Sequence, residues 1–597
     1  MKTRILALAA ALAANAWAVT PQDIERYFQA RWSSQGVTPS ATVADAVFLR
    51  RAWLDLVGVV PSPEDVPAFE AERDPAKRSR LIDRLLSDPR FGQAWGNRFK
   101  NLLLENSDVA KNRRLIHPFE LWLAQSLNSN LPYDRLVRKL IAGQGSVHEN
   151  PEGSYVAQFR ESPEALTGHM AKRFLGVQIQ CAQCHDHPFE KWKRKDFYGL
   201  HAFFARVKDV PVPLDGLAAL RAGKFDEALF AAQKEGRDPR KQQRRARVLE
   251  QLASQLPEPS LKPDALAAEM ALMNKGKPPE KARTFVVVDR PRGEAVIPDL
   301  KAPPGDKSKR PAGEEVHPRF LDGTAPTWPD PFVNRREELA AWMTDKKNPY
   351  FARALVNRVW SVLLGRGLIE PVDNVAAPAE KTHALLLDRL AAHFVESGCD
   401  FKGLLRLIAS TSVYQRSIAP STKNAKDRAE FAHGSTRPME PEQLFTSLLA
   451  ATGAEEALRA KGGENIEVMR SRMMDRFAKV FENDSGEEDE QFHGSLTQAL
   501  FLLNAPALHR SLAAGPTGTV RQAIEAAFHA GAAAAGIAHL YLAAFARSPT
   551  PEESLAATQY LDASGATQAG RPLRGKPQGW SDLLWSMVTS AEFLVNH

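Results

Sequence analysis

The sequence contains few cysteines and no long hydrophobic run. Only three of its 597 residues are cysteine, whereas an exported protein stabilised by disulfides normally carries several, in even number. The fold must therefore depend on a packed core, and a chain with 44% hydrophobic residues can build one. No segment reaches the roughly 18 consecutive apolar residues that mark a membrane-spanning helix, so we expect no transmembrane anchor.

An excess of one charge and several catalytic patterns are also missing. The formal net charge is only +7, and lysine and arginine are interleaved with acidic residues. This mild balance is typical of a solvated surface, so we do not expect nucleic-acid binding. The order Ser-His-Asp, a phosphate-binding glycine loop and a catalytic carboxylate pair are not evident, so the sequence nominates no hydrolase.

The N-terminus predicts export. Lys2 and Arg4 precede an apolar run that ends near Ala14, and small residues follow up to Ala18. This pattern is typical of a signal peptide over residues 1–18, cleaved after Ala18. We therefore expect the mature protein to be periplasmic, at the cell surface or secreted.

Hydrophobic periodicity predicts a mainly α-helical protein. Leu81, Ile82, Leu85 and Leu86, for example, recur at helical spacing. We predict two helical domains, at residues 39–206 and 329–597. Between them, residues 207–328 form a variable insert, with an exposed charged helix within 216–256 and a short strand at 284–289.

The densest chemical pattern is CAQCHDHPFEKW, which begins at Cys181. A c-type haem is attached through two cysteines separated by two residues, and a histidine directly after the second binds the iron. Cys181, Cys184 and His185 have this spacing. An export signal would deliver the chain to a compartment where haem is attached to such motifs. We therefore predict one covalent haem c, with His185 as an axial ligand.

Other readings of the same cluster stay open at this point. Cys181, Cys184, His185 and His187 are all ligand types that suit zinc, and the two cysteines could also form a disulfide. For the opposite face of a haem iron, the candidates are His169, Met170 and His201. Asp186 or a main-chain carbonyl could hold the second nitrogen of the His185 ring.

A second polar cluster follows residue 347. Arginine and asparagine supply several hydrogen-bond donors and could line a carbohydrate or anion site. They also cap helices and hold buried turns, which is the interpretation we favour. The cluster comprises Asn348, Arg353, Asn357, Arg358, Arg366, Asp373 and Asn374.

Long blocks around both clusters resemble a known family. The blocks FLRRAWLDLVGVVPSPEDVPAF and FLGVQIQCAQCHDHPFEKWKRKDFYGLHAFFA look like the cytochrome-type domain of planctomycete secreted proteins. The blocks NPYFARALVNRVWSVLLGRGLIEPVDN and LLWSMVTSAEFLVNH are similar to the planctomycete surface domain that accompanies it. The resemblance implies a cytochrome-type CxxCH domain followed by a surface domain, in a family that is largely without an assigned activity.

Three functions follow as hypotheses. The first is electron transfer or a redox step at one c-type haem, with a redox partner protein or an envelope component as partner. The second is a non-redox envelope binding or scaffold protein, in which the Cys/His cluster binds zinc or forms a disulfide. The third and weakest is an enzyme acting on polysaccharide, with the polar cluster after residue 347 as its site.

Overall fold

A computed structural model describes most of the chain. Nearly all of the predicted signal peptide and the predicted charged helix within 216–256 lie outside the described residues. The described residues are 18–104, 113–159, 162–213, 257–261, 283–290, 292–299, 313–327, 334–376, 383–425, 427, 429–456, 470, 473, 474, 477, 480, 518–573 and 576–597.

The predicted mainly α-helical class is confirmed. The helices of the first half are α1 Pro21–Gln35, α2 Asp45–Val57, α3 Asp65–Ala71, α4 Lys77–Ser87, α5 Pro89–Leu103, α6 Arg113–Asn128, α7 Tyr133–Ala142, α8 Ser154–Ala157, α9 Pro163–Met170 and α10 Arg194–His201. Those of the second half are α11 Arg335–Met343, α12 Phe351–Leu364, α13 Ala384–Glu396, α14 Phe401–Ala409, α15 Pro441–Thr452, α16 Thr519–Ala530, α17 Ala533–Phe545, α18 Pro551–Ala563, α19 Gln578–Val588 and α20 Ala591–Leu594.

Local sequence accounts for several helix boundaries. Thr20 and Asp23 form a reciprocal capping box at the start of α1, and Pro21 occupies its first turn. Gly36 ends this helix with a φ of 66°, in the left-handed region that glycine adopts without strain. Such caps satisfy the main-chain groups that a helix leaves unpaired at its ends.

α6 starts at Arg113 and carries Pro118 inside, although proline favours the first helical position. Ile116 and Phe119 are both buried. Their packing keeps the preceding turn helical despite the hydrogen bond that Pro118 cannot donate.

The strands are short and form four small antiparallel sheets within the described residues. The strand predicted at 284–289 is confirmed as β3, and it lies between β1 and β2 in a three-stranded sheet. β2 and β3 thus join the predicted insert to β1, in the first predicted domain. The strands are β1 Gly145–Ser146, β2 Val207–Pro213, β3 Arg283–Asp289, β4 Ala295–Pro298, β5 Gly313–Val316, β6 Arg437–Pro438, β7 Thr567–Gln568, β8 Arg571–Pro572 and β9 Val595–Asn596.

The chain divides into two compact units. Unit 1 comprises residues 1–19, 96–362 and 366–405, and unit 2 comprises residues 20–95, 363–365 and 406–597. Each unit takes residues from both predicted domains, whose boundaries stay a prediction.

Each unit has its own packed interior. In unit 1, Tyr133 stacks on Phe351 with ring centroids 5.3 Å apart. In unit 2, Ile537, Leu540 and Trp580 belong to the core on which α16, α17 and α19 pack. No helix within the described residues is both long and apolar enough to cross a membrane.

Candidate functional site

The CxxCH motif forms a surface turn of unit 1. A short 3₁₀ helix spans Gln180–Gln183, and the amide N–H groups of Cys184 and His185 both donate to the carbonyl of Cys181. Ala182 is fully buried and anchors the turn. Cys181 and Cys184 are exposed free thiols, so both sulfurs are accessible from solvent.

Two helices support this turn from behind. α9 and α10 both pack against the 3₁₀ helix, and Ile179, immediately before it, is fully buried. A Cβ atom at Gly168 of α9 would lie 1.4 Å from Oε1 of Gln180. Glycine at position 168 therefore allows the Gln180 side chain to lie directly on the helix backbone.

The His185 ring is held in one orientation. It is exposed, and its Nδ1 lies 2.8 Å from the carbonyl oxygen of Asp186. A carbonyl only accepts hydrogen bonds, so Nδ1 carries the proton and Nε2 carries the lone pair. Metal-binding histidines commonly donate their second ring N–H to a carbonyl in this way. The predicted role for a main-chain carbonyl beside His185 thus matches the geometry.

His187 is used differently. Its Nδ1 accepts the amide N–H groups of Phe189 and Glu190, at 3.3 and 3.0 Å. The neutral ring therefore carries its proton on Nε2, which leaves neither nitrogen with a free lone pair. In this arrangement His187 closes a turn of the main chain, and its role as a further ligand stays a prediction.

Residues 186–194 form a closed loop beside the motif, which we call the motif loop. The His187 N–H donates to the carbonyl of Trp192 at 2.8 Å, and the Arg194 N–H donates to Oδ1 of Asp186 at 3.0 Å. Trp192 is buried. Phe189, in contrast, is 88% exposed and presents an apolar ring to solvent, five residues after Cys184 in the chain.

The polar cluster of the second block fastens the motif loop. Glu190 accepts from Trp192 Nε1 at 2.7 Å and from Asn374 Nδ2 at 3.0 Å. Asp373 accepts from Arg173 at 2.6 Å and pairs with Arg358. These contacts could not be predicted from the sequence, since Glu190 and Asn374 lie 184 residues apart.

Close backbone packing accompanies these polar contacts. Gly176, five residues before the motif, has a φ of 58°. A Cβ atom at this position would lie 2.7 Å from Cγ2 of Val375. The segment that carries Asp373 and Asn374 therefore packs tightly on the chain that leads into the CxxCH turn.

Other members of the polar cluster hold local structure, as favoured from the sequence. Asn348 Oδ1 accepts the N–H groups of Tyr350 and Phe351 at the start of α12. Asn357 is fully buried and binds the N–H and carbonyl of Ile369. Arg353 lies 3.3 Å from Asp388. These contacts give the third hypothesis, a polysaccharide site, no support.

His169, Met170 and His201, the candidates for a second axial ligand, are buried. His169 Nδ1 lies 3.0 Å from the Tyr155 hydroxyl, and burial lowers the pKa of His169 to about 3. Burial also lowers the pKa of His201, whose Nδ1 lies 3.1 Å from Thr167 Oγ1. All three side chains are packed in the interior of unit 1, and their predicted role stays a prediction.

A cavity of about 320 Å³ opens at the C-terminal end of α10. His201 and Glu164 line it, with 3.9 Å between His201 Nε2 and Glu164 Oε1. Much of its wall is apolar and includes Phe159, Leu166 and Phe204. The volume is in the range of small-molecule sites.

The third cysteine, Cys399, is buried. Burial raises the pKa of its thiol to about 11. The thiol is therefore neutral near pH 7 and unreactive. Among the described residues, no group of three or more His, Cys, Asp or Glu side chains is arranged to hold a metal ion.

Comparisons with known proteins indicate a class of protein but no activity. The chain is a mainly α-helical protein, and two family models match parts of it. Residues 23–209 match the family PSCyt2, described as a protein of unknown function (DUF1549), and residues 335–491 match PSD1, a protein of unknown function (DUF1553). Searches of curated proteins and of solved structures found no match.

Proposed function

We propose that the protein is an exported c-type haem protein that transfers electrons in the cell envelope. Cys181 and Cys184 would bind the porphyrin covalently, and Nε2 of His185 would bind the iron. The observation that carries this proposal is the hydrogen bond from His185 Nδ1–H to the Asp186 carbonyl, beside two exposed thiols.

The donor set of the turn fits this group. Haem attachment needs two accessible thiols and an imidazole whose iron-binding nitrogen is unprotonated. The exposed ring of Phe189 offers an apolar surface that a porphyrin would cover. The turn fits zinc less well, because Nδ1 of His187 already accepts hydrogen bonds from two amide groups and would have to release them to bind the metal.

A bound haem would supply reversible one-electron chemistry at its iron. This chain's own residues hold the geometry. The Asp186 carbonyl fixes the His185 ring, and Glu190 ties the motif loop to Trp192 and Asn374. Rigid ligands change little between oxidation states, which is the main protein contribution to such a site.

Expression in a host that matures c-type cytochromes tests the proposal. We expect a Soret band and an intact mass increased by one haem, both lost in Cys181→Ser and Cys184→Ser. The matched control is Cys399→Ser, which should keep both. A protein without added mass that contains stoichiometric zinc, or that has only lost two hydrogens to a disulfide, would overturn the proposal in favour of the scaffold hypothesis.

A further inference from the structure

Three exposed lysines lie on or beside the motif loop. Lys191, Lys193 and Lys195 are exposed, while the intervening Trp192 is buried. Lys191 Nζ lies 4.7 Å from the Trp192 ring centroid and 3.5 Å from the Tyr350 hydroxyl. Within the described residues, neither Lys191 nor Lys193 has a carboxylate partner, so their charges are available to a partner molecule.

The loop's own hydrogen bonds bring these lysines to the motif. The Arg194 N–H donates to Asp186, and Lys193 and Lys195 are the chain neighbours of Arg194. The His187 N–H donates to the carbonyl of Trp192, and Lys191 and Lys193 are the chain neighbours of Trp192. Asp186 and His187 directly follow His185, so each lysine is a chain neighbour of a residue that is hydrogen-bonded to the end of the CxxCH motif.

Nearby acidic groups do not cancel this charge. Glu190 is half-buried and bonded to Trp192 and Asn374, and Asp196 caps α10 through the Lys193 N–H. Lys195 meets Glu314 at 3.4 Å, but both side chains are more than 60% exposed. Such a surface pair is weak and screened by salt. Asp186 is the remaining exposed acid of the loop, against three lysines.

We propose that this surface, Lys191, Lys193 and Lys195 around Phe189, docks a partner protein that presents an acidic patch to the CxxCH turn. The identity of that partner as an electron donor or acceptor rests on the proposed haem function. Charge complementarity speeds encounter, and one exposed aromatic ring supplies a small apolar centre. A small surface of this kind suits a transient redox encounter.

An anionic membrane is a poorer fit. Sequence segments that bind acidic lipids usually gather four to eight basic residues, together with an amphipathic helix or an anchor. Here only three lysines have exposed side chains, Lys191 and Lys193 on the motif loop and Lys195 in the first turn of α10, and Arg194 donates to the carbonyl of Pro298 at 2.9 Å. The acidic surface of a protein is therefore the occupant that we infer.

The thiols of the haem-free protein allow a test that needs no cofactor. A thiolate of Cys181 or Cys184 attacks one sulfur of an aromatic disulfide, a mixed disulfide forms, and the other aromatic thiolate leaves. Dithiobis(nitrobenzoate) is an anionic probe, and dithiodipyridine is a neutral one. The ratio of their rate constants measures the local attraction for anions, while buried Cys399 contributes little.

In the double variant Lys191→Gln/Lys193→Gln, we expect the ratio of the rate constants for the anionic and the neutral disulfide to fall roughly two- to tenfold at low ionic strength. At high salt, the variant and the wild type should have the same ratio. The matched control is Lys423→Gln/Lys576→Gln, which removes two exposed lysines outside the loop. An unchanged ratio, or an equal fall in the control, would overturn the proposal.

Macromolecular probes then separate the two kinds of acidic surface. Poly-L-glutamate should protect the thiols from the neutral disulfide at low salt, and less so in the lysine variant. Protection by phosphatidylglycerol vesicles, without protection by poly-L-glutamate, would contradict an acidic protein as the occupant.

The haem-loaded protein provides an independent measurement. One electron passes from the reduced protein to ferricyanide, which becomes ferrocyanide, and no proton moves. The lysine variant should react more slowly with anionic ferricyanide but no more slowly with cationic hexaamminecobalt(III). If the protein fails to load haem but its thiol ratio still falls in Lys191→Gln/Lys193→Gln, the redox function alone is contradicted. If the protein loads haem but the ratio of its haem-free form does not fall in that variant, the docking surface alone is contradicted.

Discussion

At the scale of single residues, burial decides what a charged pair contributes. Asp55, in unit 2, accepts from Arg437 at 2.8 and 2.9 Å, from the Tyr414 hydroxyl at 2.8 Å and from Asn596 Nδ2 at 2.8 Å. The Asp55 side chain is only 2% exposed. Removing the charge of such a buried carboxylate leaves an uncompensated cation, which is far more costly than loss of a surface pair.

We therefore predict that Asp55→Asn lowers the free energy of unfolding by about 3–5 kcal/mol. The matched control is Asp83→Asn, since Asp83 meets Arg406 at the same distance of 2.8 Å while both side chains are at least 50% exposed. That variant should cost about 1 kcal/mol or less. Urea unfolding measures both, and equal losses would refute the role assigned to burial.

Buried histidine predicts an acid-sensitive stability. The folded pKa of His169, about 3, lies below its ordinary value of 6.5. The unfolded chain therefore binds a proton first, so stability is complete above pH 6.5 and is lost as the pH falls toward 3. One such group contributes a slope of about 1.4 kcal/mol per pH unit in this window.

His169→Gln should reduce the pH dependence of unfolding between pH 6 and about 4 by about one proton. The control is His317→Gln, because the His317 side chain is 77% exposed and loses little solvation on folding. Chemical denaturation at a series of pH values gives both slopes. An undiminished slope in His169→Gln would contradict burial as the cause.

At the scale of elements, the chain leading into the motif depends on the close approach of Gly176 to a neighbouring segment. Gly176 combines a positive φ with contact to Val375, whereas Gly398 has a φ of 78° and no atom within 4 Å of an added Cβ. Both positions belong to unit 1. Alanine variants of these two glycines therefore separate two contributions to the loss of stability: the strain of a left-handed backbone, which both share, and the steric clash, which only Gly176→Ala adds.

Gly398→Ala should lower the free energy of unfolding by about 1–2 kcal/mol, from backbone strain alone. Gly176→Ala should cost more, and it should also change the rate at which Cys181 and Cys184 react with dithiodipyridine. Gly398→Ala should leave that rate unchanged. The same rate in both variants would show that packing of residues 373–375 does not position the turn.

At the scale of the whole molecule, cleavage after Ala18 stays a prediction, and the contacts of the next residue show what it would leave. Val19 is buried, and its N–H donates to His393 Nδ1 at 3.2 Å. Cleavage after Ala18 would leave this residue and the Thr20 cap of α1 in place. We expect N-terminal sequencing of the exported protein to begin Val19-Thr20. A mature chain that begins beyond Thr20 would contradict the predicted cut, and a retained Met1 would contradict export.

The sequence by itself determined the local features of this protein. Helical periodicity indicated most of the helices, and the β-branched run at 284–289 indicated β3. The spacing of Cys181, Cys184 and His185 identified the candidate site. These features depend on residues that are close together in the chain, so they can be predicted from the local sequence.

Only the tertiary structure decided which distant residues meet. It joined Glu190 to Asn374 across 184 residues and Asp55 to Asn596 across 541. It also buried the three candidates for a second axial ligand and fixed the ring of His185. Such contacts arise when elements that are distant in the chain pack together. A local sequence pattern therefore does not indicate which distant residue becomes the partner.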